Sequence, residues 1–318
     1  MRKHKLIVFD TETTCTGREA ELCQISATSE DGKHEFSHYI LPRSNISTGA
    51  SLVNNLTIKS INGKRTMCKS NSPVVSVNPG KALQDFITFL KQLQDKDSNS
   101  TLVLIGHNSA TFDVPILLRN SDRTFQDNLT EMNVNFADSQ HLVKSLINDK
   151  HTALLLGNGG FCKPNQRSLY IHLFNEEFDA HDALEDVRAL RRILFDSPLN
   201  LSTEDIIKRS SVTSVSHAIE NMLYLDRRHE LLLTFSNKLF NASDDNGPVK
   251  KALVQNIAGS GLSYNDLRNV YSRFGKKGVV AILSHAPSTS QSKKPRVTRT
   301  KRILAAIVKH FEENSHEE

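Results

Sequence analysis

Four acidic residues occupy positions where apolar neighbours predict burial, and acids are rarely buried without a partner. Asp10 and Glu12 lie two residues apart at the end of the strand-like run "KLIVFDTET", so both side chains point to one face. Asp113 opens the helix predicted after the apolar run "TLVLIGHN". Asp186 lies three residues after Ala183 and borders the apolar stripe of the helix predicted in "HDALEDVRALRRILF".

A buried carboxylate costs several kcal/mol or more unless a partner compensates its charge. A proton or an arginine neutralises a single one. Four converging carboxylates repel one another, and a divalent cation is the usual remedy. Because all the candidate ligand atoms are oxygens, the chemistry favours magnesium or manganese over zinc.

Each of these residues also has a structural explanation when taken alone. Asp10 could be a turn residue, Asp113 could cap a helix, and His181 could be an ordinary surface or core histidine. Asp182 and Glu185 match the N-cap and N3 positions of a helix, and we assign them to structure. The joint pattern of D-x-E, a later acid and H-x4-D is what favours a chemical role.

This combination resembles the DnaQ-like 3′–5′ exonucleases, whose histidine type (DEDDh) is named for four acids and a histidine. Three segments match its motifs, namely "FDTET" (9–13), "GHNSATFD" (106–113) and "HDALED" (181–186). The stretch "ISTGASLVNNLT" (46–57) resembles the one between the first two motifs. A sister group has tyrosine four places before the last acid, where this chain has Asp182. The resemblance covers roughly residues 4–196.

The resemblance implies phosphodiester hydrolysis from a 3′ end of DNA, with RNA as an alternative substrate, releasing nucleoside 5′-monophosphates. It implies two Mg²⁺ ions about 3.5–4 Å apart, for which Mn²⁺ can substitute. Asp10 would bridge the ions, Glu12 and Asp186 would complete the first site, and Asp113 would help to hold the second. His181, in a loop before its helix, would be the general base near neutral pH.

Substrate contacts are also implied by the resemblance. Thr13, Thr14, Asn108 and His181 occupy family positions near the terminal nucleotide, although threonine and asparagine there could simply satisfy turn backbone. Two basic stretches could hold a nucleic-acid backbone or be ordinary solvated segments. The first comprises Lys59, Lys64, Arg65 and Lys69, and the second is residues 293–302, which could also be a nuclear localisation signal.

The elements around these residues predict an α/β fold, a ribonuclease H-like mixed β-sheet flanked by helices. Strands are predicted at Lys5 to Asp10, 21–29, 34–40 and 101–108, with a hairpin turn at Asp31–Gly32 and a polar loop over 60–80. Helices are predicted at 81–94, from near Thr111, and at 181–195, ending near Phe195. A small, mainly helical C-terminal region follows.

We predict four segments: the exonuclease domain (1–200), a helical extension (201–283), a flexible basic linker (284–300) and a terminal amphipathic helix (301–318). Residues 169–195 and 257–283 resemble the exonuclease-like region encoded by the last exon of the promyelocytic leukaemia protein and its stand-alone animal relatives, akin to three prime repair exonucleases. The mammalian protein has a degraded acidic set. Here all four acids and the histidine are present, which favours an enzyme over a non-catalytic nucleic-acid-binding scaffold.

Charge indicates the kind of partner. The 318 residues carry a net charge of +5, and residues 201–318 hold 18 basic against 12 acidic side chains, compared with 22 against 23 before them. A polyanion such as single-stranded or 3′-end DNA is the expected partner, with the oligomeric state open, a homodimer included. Four cysteines without a close pair indicate an intracellular protein, nuclear or cytoplasmic. No apolar stretch reaches the roughly 20 residues that a membrane span needs.

Overall fold

The computed structural model describes residues 4–94, 100–239, 249–286 and 294–314. The chain forms two compact units, Met1–Met222 and Leu223–Glu318. None of the helices in these described ranges is long and apolar enough to cross a membrane.

The first unit contains all the strands that the structure describes. These are β1 (His4–Thr13), β2 (Leu22–Ser29), β3 (Glu35–Ile40), β4 (Leu56–Ile61), β5 (Lys64–Lys69), β6 (Ser72–Pro73), β7 (Ser76–Val77), β8 (Thr101–Gly106), β9 (Val134–Asp138) and β10 (Thr213–Ser214). Seven of them form a mixed sheet in the order β10-β9-β8-β1-β2-β3-β7, and β4-β5-β6 form a second sheet. β1 is parallel to β8 and antiparallel to β2, so the predicted mixed sheet is confirmed.

Helices lie between and after these strands. They are α1 (Thr48–Asn54), α2 (Pro79–Leu93), α3 (Asp113–Arg119), α4 (Arg123–Glu131), α5 (Ser139–Asn148), α6 (Gln166–Phe174), α7 (Ala183–Phe195), α8 (Thr203–Arg209), α9 (Val215–Leu233), α10 (Lys251–Gly259), α11 (Tyr264–Ser284) and α12 (Lys301–Glu313). The helix predicted to end near Phe195 does end there, and Asp113 opens α3 as expected.

Helices cover both faces of the large sheet. Along β1, Ile7 and Phe9 pack in a core cluster with α2, α3 and α4. Leu6 and Val8 pack in the opposite cluster with α5, α7 and α8. Burial on both faces explains why the central strands read as continuous apolar runs rather than as an alternating pattern.

The prediction of a polar loop over residues 60–80 is wrong, because most of this segment is β-structure. β4 and β5 pair as an antiparallel hairpin, and Asn62 and Gly63 connect them with φ of 52° and 75°. Two positive φ values at an Asn-Gly turn are typical of the type I′ connection that matches strand twist. The Asn-Gly pair is a sequence signal for this hairpin. The polar residues around it are typical of a loop and favour the wrong prediction.

The first unit extends beyond the predicted boundary at residue 200, as far as Met222. Ile206 is fully buried in the α7 core cluster, and Val215 and Ala218 are buried in the opposite one. β10 also adds a short edge strand next to β9. The extra length belongs to the first unit because its apolar side chains have their core there.

The second unit has its own apolar cluster, built from α10, α11 and α12, from Leu262, and from Phe235, Leu239 and Val249, which precede α10. Residues 287–293 of the predicted linker lie outside the described part of the chain. The described remainder is held to α11, since the Leu283 carbonyl accepts hydrogen bonds from the Val297 and Thr298 amides. The terminal amphipathic helix predicted over 301–318 is found as α12, with Ile307 and Phe311 buried, and residues 315–318 of that prediction lie outside the described part of the chain.

Candidate active site

The first strand delivers two acids to the face that α7 covers. β1 continues to Thr13, three residues beyond its predicted end at Asp10. Since side chains alternate along a strand, Asp10 and Glu12 share the face packed against α7, and Thr11 points to the face packed against α3. The D-x-E spacing thus directs both carboxylates towards Asp186 on α7.

Three carboxylates meet at this place. Oxygen atoms of Asp10, Glu12 and Asp186 lie within 4.8 Å of one another, a grouping that can hold a metal ion. They line a cavity of about 470 Å³ together with Asp113 and His181. All four predicted acids and the predicted histidine therefore face one cavity, and three of the acids form its tightest cluster.

Crowding of these acids raises their pKa values. Burial, followed by the charge of Asp186, raises the pKa of Glu12 to about 8. Burial raises the pKa of Asp186 to about 7. Burial and the neighbouring Asp113 and Asp186 carboxylates raise the pKa of Asp10 well above its usual value. Near neutral pH these groups share protons unless a cation replaces them, as expected for a divalent-metal site.

Asp113 stands beside the cluster and is held from β1. Its Oδ1 accepts hydrogen bonds from the Thr11 hydroxyl at 2.7 Å and from the Thr11 amide at 3.1 Å. Burial raises the pKa of Asp113 to about 6, although the Thr11 bonds oppose the rise. Both of these bonds go to Oδ1, and the side chain lines the cavity.

The loop between β8 and α3 needs a glycine. A Cβ at Gly106 would lie 2.8 Å from the Ser109 Cβ and 3.1 Å from the Phe9 carbonyl oxygen. Beyond it, Asp138 Oδ1 accepts the Asn108 amide at 2.9 Å, and Asp138 Oδ2 accepts the Ala110 amide at 3.2 Å. The loop is therefore pinned on both sides of its turn, which sets the start of α3.

His181 precedes α7, as predicted, with Asp182 as the N-cap of that helix. Its backbone has φ of 71°, and its amide donates to Asp186 Oδ2 at 2.7 Å. The imidazole is exposed, and partial loss of hydration followed by the charge of Arg167 lowers its pKa. A lowered pKa leaves the ring neutral at neutral pH, so it can accept a proton there.

Not all of the predicted substrate contacts lie at the cavity. Thr13 and Asn108 line the cavity. The Thr14 side chain is buried elsewhere, and its hydroxyl accepts a hydrogen bond from the Glu21 amide at 3.0 Å. Thr14 therefore satisfies turn backbone, which was the alternative to a substrate contact. Thr14 is not among the residues that line the cavity.

Several cavity residues carry no sequence signal. Gln166, at the start of α6, donates from Nε2 to the Asp186 backbone oxygen at 2.8 Å and to Oδ1 at 3.1 Å. The Asn54 side chain hydrogen-bonds Glu12 and opposes the rise of its pKa. A single glutamine or asparagine has no diagnostic spacing that would mark it in a sequence. Of these two residues, only Asn54 lies within a stretch that resembles a family segment (46–57).

The basic residues of the predicted loop lie on the β4–β5 hairpin and bond internally. Lys59 Nζ donates to Asn71 Oδ1 at 2.9 Å, and the Arg65 guanidinium donates to the Asn45 side chain at 3.0 Å. Lys69 forms an ion pair with Asp182. These contacts give three of the four basic side chains a partner within the protein.

Two family models match the chain. Residues 4–156 match the Exuperantia RNAse H-like domain, and residues 245–314 match the C-terminal domain of PML. Maternal protein exuperantia of Drosophila virilis is 27% identical over 237 residues, which are 67% of this chain and 48% of the relative. The chain therefore spans about half the length of the curated relative that it matches.

Solved structures of nucleases show distant likeness in fold. Cell-death related nuclease 4 (CRN-4) has a TM-score of 0.43 and 14% identity, covering 67% of each chain. The zinc-bound complex of E. coli ExoI with single-stranded DNA has a TM-score of 0.44 and 13% identity, covering 98% of this chain and 70% of that one.

The family matches cover segments in both parts of the chain whose motifs resemble known families. The RNAse H-like match includes Asp10, Glu12 and Asp113, and the PML match includes all of the C-terminal segment 257–283 that resembles the promyelocytic leukaemia region. These matches support the resemblance recognised from the motifs: residues 4–156 are similar to an RNAse H-like domain, and residues 245–314 are similar to the C-terminal domain of PML.

Proposed function

We propose that this protein is a metal-dependent 3′–5′ exonuclease that hydrolyses DNA and releases nucleoside 5′-monophosphates. One observation carries the proposal: the carboxylates of Asp10, Glu12 and Asp186 meet within 4.8 Å in a cavity that Asp113 and His181 also line. Acids crowded in this way destabilise the folded protein when no cation is bound. A site for divalent cations is the ordinary reason for such an arrangement.

The donor set fits Mg²⁺, because it consists of oxygens alone, and Mn²⁺ can substitute. Asp10, Glu12 and Asp186 would hold one ion, and Asp10 with Asp113 would hold a second. Bound ions would neutralise charge on the scissile phosphate and lower the pKa of the attacking water.

The chain's own residues supply the proton chemistry and the positioning. The neutral His181 imidazole would accept the proton of the attacking water while the bond from phosphorus to the 3′ oxygen breaks. Gln166 and the His181 amide each donate one hydrogen bond to the Asp186 carboxylate, and Gln166 also donates to the Asp186 backbone oxygen. Thr13 and Asn108, on the cavity wall, would contact the terminal nucleotide.

The test is digestion of end-labelled single- and double-stranded DNA and RNA with Mg²⁺. Label at the 3′ end should be released as mononucleotide at once, whereas label at the 5′ end should pass through a ladder of shortened products. Asp10→Asn should abolish both signals. Asp31→Asn is the matched control, since Asp31 lies in the exposed β2–β3 turn.

The outcomes separate the alternatives. Faster digestion of RNA would make the protein an exoribonuclease acting by the same chemistry. Binding of labelled strands without hydrolysis by the wild type would indicate a non-catalytic scaffold and overturn the proposal. Full activity of Asp10→Asn would also overturn it, because the residue central to the carboxylate cluster would then be dispensable.

A further inference from the structure

The helix that carries Asp186 is anchored at its first turn by a carboxylate outside the metal-binding group. Asp182 is 7% exposed and caps α7. It accepts hydrogen bonds from the Leu184 amide (2.9 Å), the Glu185 amide (3.4 Å), Gln24 Nε2 (3.2 Å), the Tyr39 hydroxyl (3.1 Å) and Lys69 Nζ. An N-cap needs only the helix amides. Donors from three different strands go beyond capping.

Two of these donors belong to a row of side chains that includes a predicted metal ligand. Glu12 on β1 is paired directly with Gln24 on β2, and Gln24 is paired directly with Tyr39 on β3. Directly paired residues share one face of a sheet, so the row lies under the start of α7. Gln24 also accepts the Ala183 amide through Oε1 at 3.2 Å. The row therefore fixes the first turn of α7 relative to Glu12.

Lys69 closes this network from the second sheet. Its side chain is 23% exposed and that of Asp182 is 10% exposed, so the ion pair is largely enclosed. Burial acts to raise the pKa of Asp182, but this pKa is lowered, because the hydrogen bond and charge of Lys69, together with the hydrogen bonds from Gln24 and the Leu184 amide, outweigh burial. Removing one partner of an enclosed pair leaves an uncompensated charge and is strongly destabilising locally.

We propose that Lys69, Asp182 and Gln24 are positioning residues for the candidate active site. They hold the start of α7 at the place where Asp186 meets Asp10 and where His181 faces the cavity. The link to His181 is direct, because it precedes Asp182 and its amide bonds the Asp186 carboxylate at 2.7 Å. The consequence for catalysis rests on the proposed nuclease function, whereas the consequences for metal binding and for the helix start do not.

The decisive variant is Lys69→Met, which keeps the length of the side chain and removes its charge. Lys69→Arg is the conservative variant. Lys33→Met is the matched control, since the Lys33–Asp31 pair is exposed, with 78% and 51% of the side chains accessible. Exposed pairs contribute little. Three readouts are compared: amide hydrogen exchange over residues 181–186, Mn²⁺ affinity, and kcat and KM on DNA.

Lys69→Met should speed exchange of the Leu184 and Glu185 amides and weaken Mn²⁺ binding by about 10- to 100-fold, the usual effect of losing a residue that orients metal ligands. A similar fall in kcat with little change in KM is expected. Lys69→Arg should restore most of each loss, and Lys33→Met should match the wild type.

Exchange and Mn²⁺ affinity at wild-type values in Lys69→Met would overturn the positioning role, whatever the nuclease assay shows. Weakened Mn²⁺ binding in a protein whose wild type lacks nuclease activity would support the positioning role and reject the proposed function. Where Lys69→Met does not fold, Tyr39→Phe replaces it, because it removes one donor to Asp182 without unpairing a charge. It should shift the same readouts in the same direction, and unchanged values would again overturn the proposal.

Discussion

Three of the four acids that line the cavity have a neighbour that orients them. Thr11 holds Asp113, Gln166 holds Asp186, and Asn54 holds Glu12. A carboxylate offers about four lone-pair positions, so one or two hydrogen bonds fix its direction and still leave acceptor capacity for a cation. Orientation by neutral donors suits this site, because a basic residue in their place would compete with the metal.

His181→Asn tests the general base separately from the backbone around it. Asparagine tolerates the left-handed conformation that His181 adopts at φ of 71°, so the amide bond to Asp186 should survive. We expect kcat to fall by about 10²- to 10⁴-fold, with Mn²⁺ affinity unchanged. Single-turnover digestion and a Mn²⁺ titration measure the two effects. A large loss of metal affinity would contradict the assigned role.

Thr11→Val tests how Asp113 is held. The substitution keeps the shape of the side chain and removes the hydroxyl that lies 2.7 Å from Asp113 Oδ1. Since that bond lowers the pKa of Asp113, its loss should raise the pKa further above about 6. The Mg²⁺ concentration for half-maximal activity at neutral pH should rise by about tenfold, and less at higher pH, where the carboxyl ionises anyway. Thr28→Val, another buried threonine, should leave the Mg²⁺ dependence unchanged.

At the scale of elements, the site forms where strand ends and helix starts coincide. The loop that joins β8 to α3 is hydrogen-bonded to Asp138, and α7 begins at its N-cap, Asp182. Backbone amides that would otherwise be unsatisfied at these ends are bonded to buried carboxylates. The carboxylates of Asp138 and Asp182 thus stabilise the loop and the helix start that position the acids lining the cavity.

Gly106→Ala should destabilise the protein through the β8–α3 loop. The new Cβ would lie 2.8 Å from the Ser109 Cβ, so the loop would have to shift. We expect a loss of about 1–3 kcal/mol in the free energy of unfolding, measured by urea denaturation. Gly157→Ala is the control, because nothing lies within 4 Å of its Cβ position, and it should change stability by less than about 0.5 kcal/mol. Equal stability of the two variants would contradict the tight approach at Gly106.

For the molecule as a whole, the acidic cavity makes stability depend on metal and on pH. Glu12, Asp113 and Asp186 have pKa values of about 8, 6 and 7 in the folded chain, against ordinary values of 4.5, 3.8 and 3.8. The folded metal-free protein therefore binds more protons than the unfolded chain between these limits. Stability must fall as pH rises through this window.

We accordingly expect the thermal stability of metal-free protein to decline from about pH 5 to about pH 8. The free energy of unfolding should fall by about 1.4 kcal/mol per pH unit for each carboxyl that is protonated only in the folded state. Saturating Mg²⁺ should remove the decline, because it binds the ionised carboxylates. The difference between wild type and Asp10→Asn at each pH isolates the site from the histidines. A wild type without Mg²⁺ that does not lose stability relative to this variant would refute the shared protonation.

Most of the sheet and the membership of the candidate site follow from local patterns. Strand alternation places Asp10 and Glu12 on one face, and helical spacing marks α7 with Asp186 at its first turn. Both patterns depend only on neighbours a few residues away, so they can be read without a structure. The β4–β5 hairpin has a local signal of the same kind in Asn62–Gly63, but the polar composition around it is equally typical of a loop.

The amino-acid sequence alone predicted which acids and which histidine belong to the candidate site, their order along the chain, and the elements that bear them. Only the tertiary structure decided that Asp10, Glu12 and Asp186 form the tight cluster with Asp113 beside it. It also decided that Thr14 turns away from the cavity and that Lys69 reaches Asp182. The reason is physical: these contacts join residues more than a hundred positions apart in several cases, through strand pairing and helix packing, and local periodicity does not encode which distant partners meet.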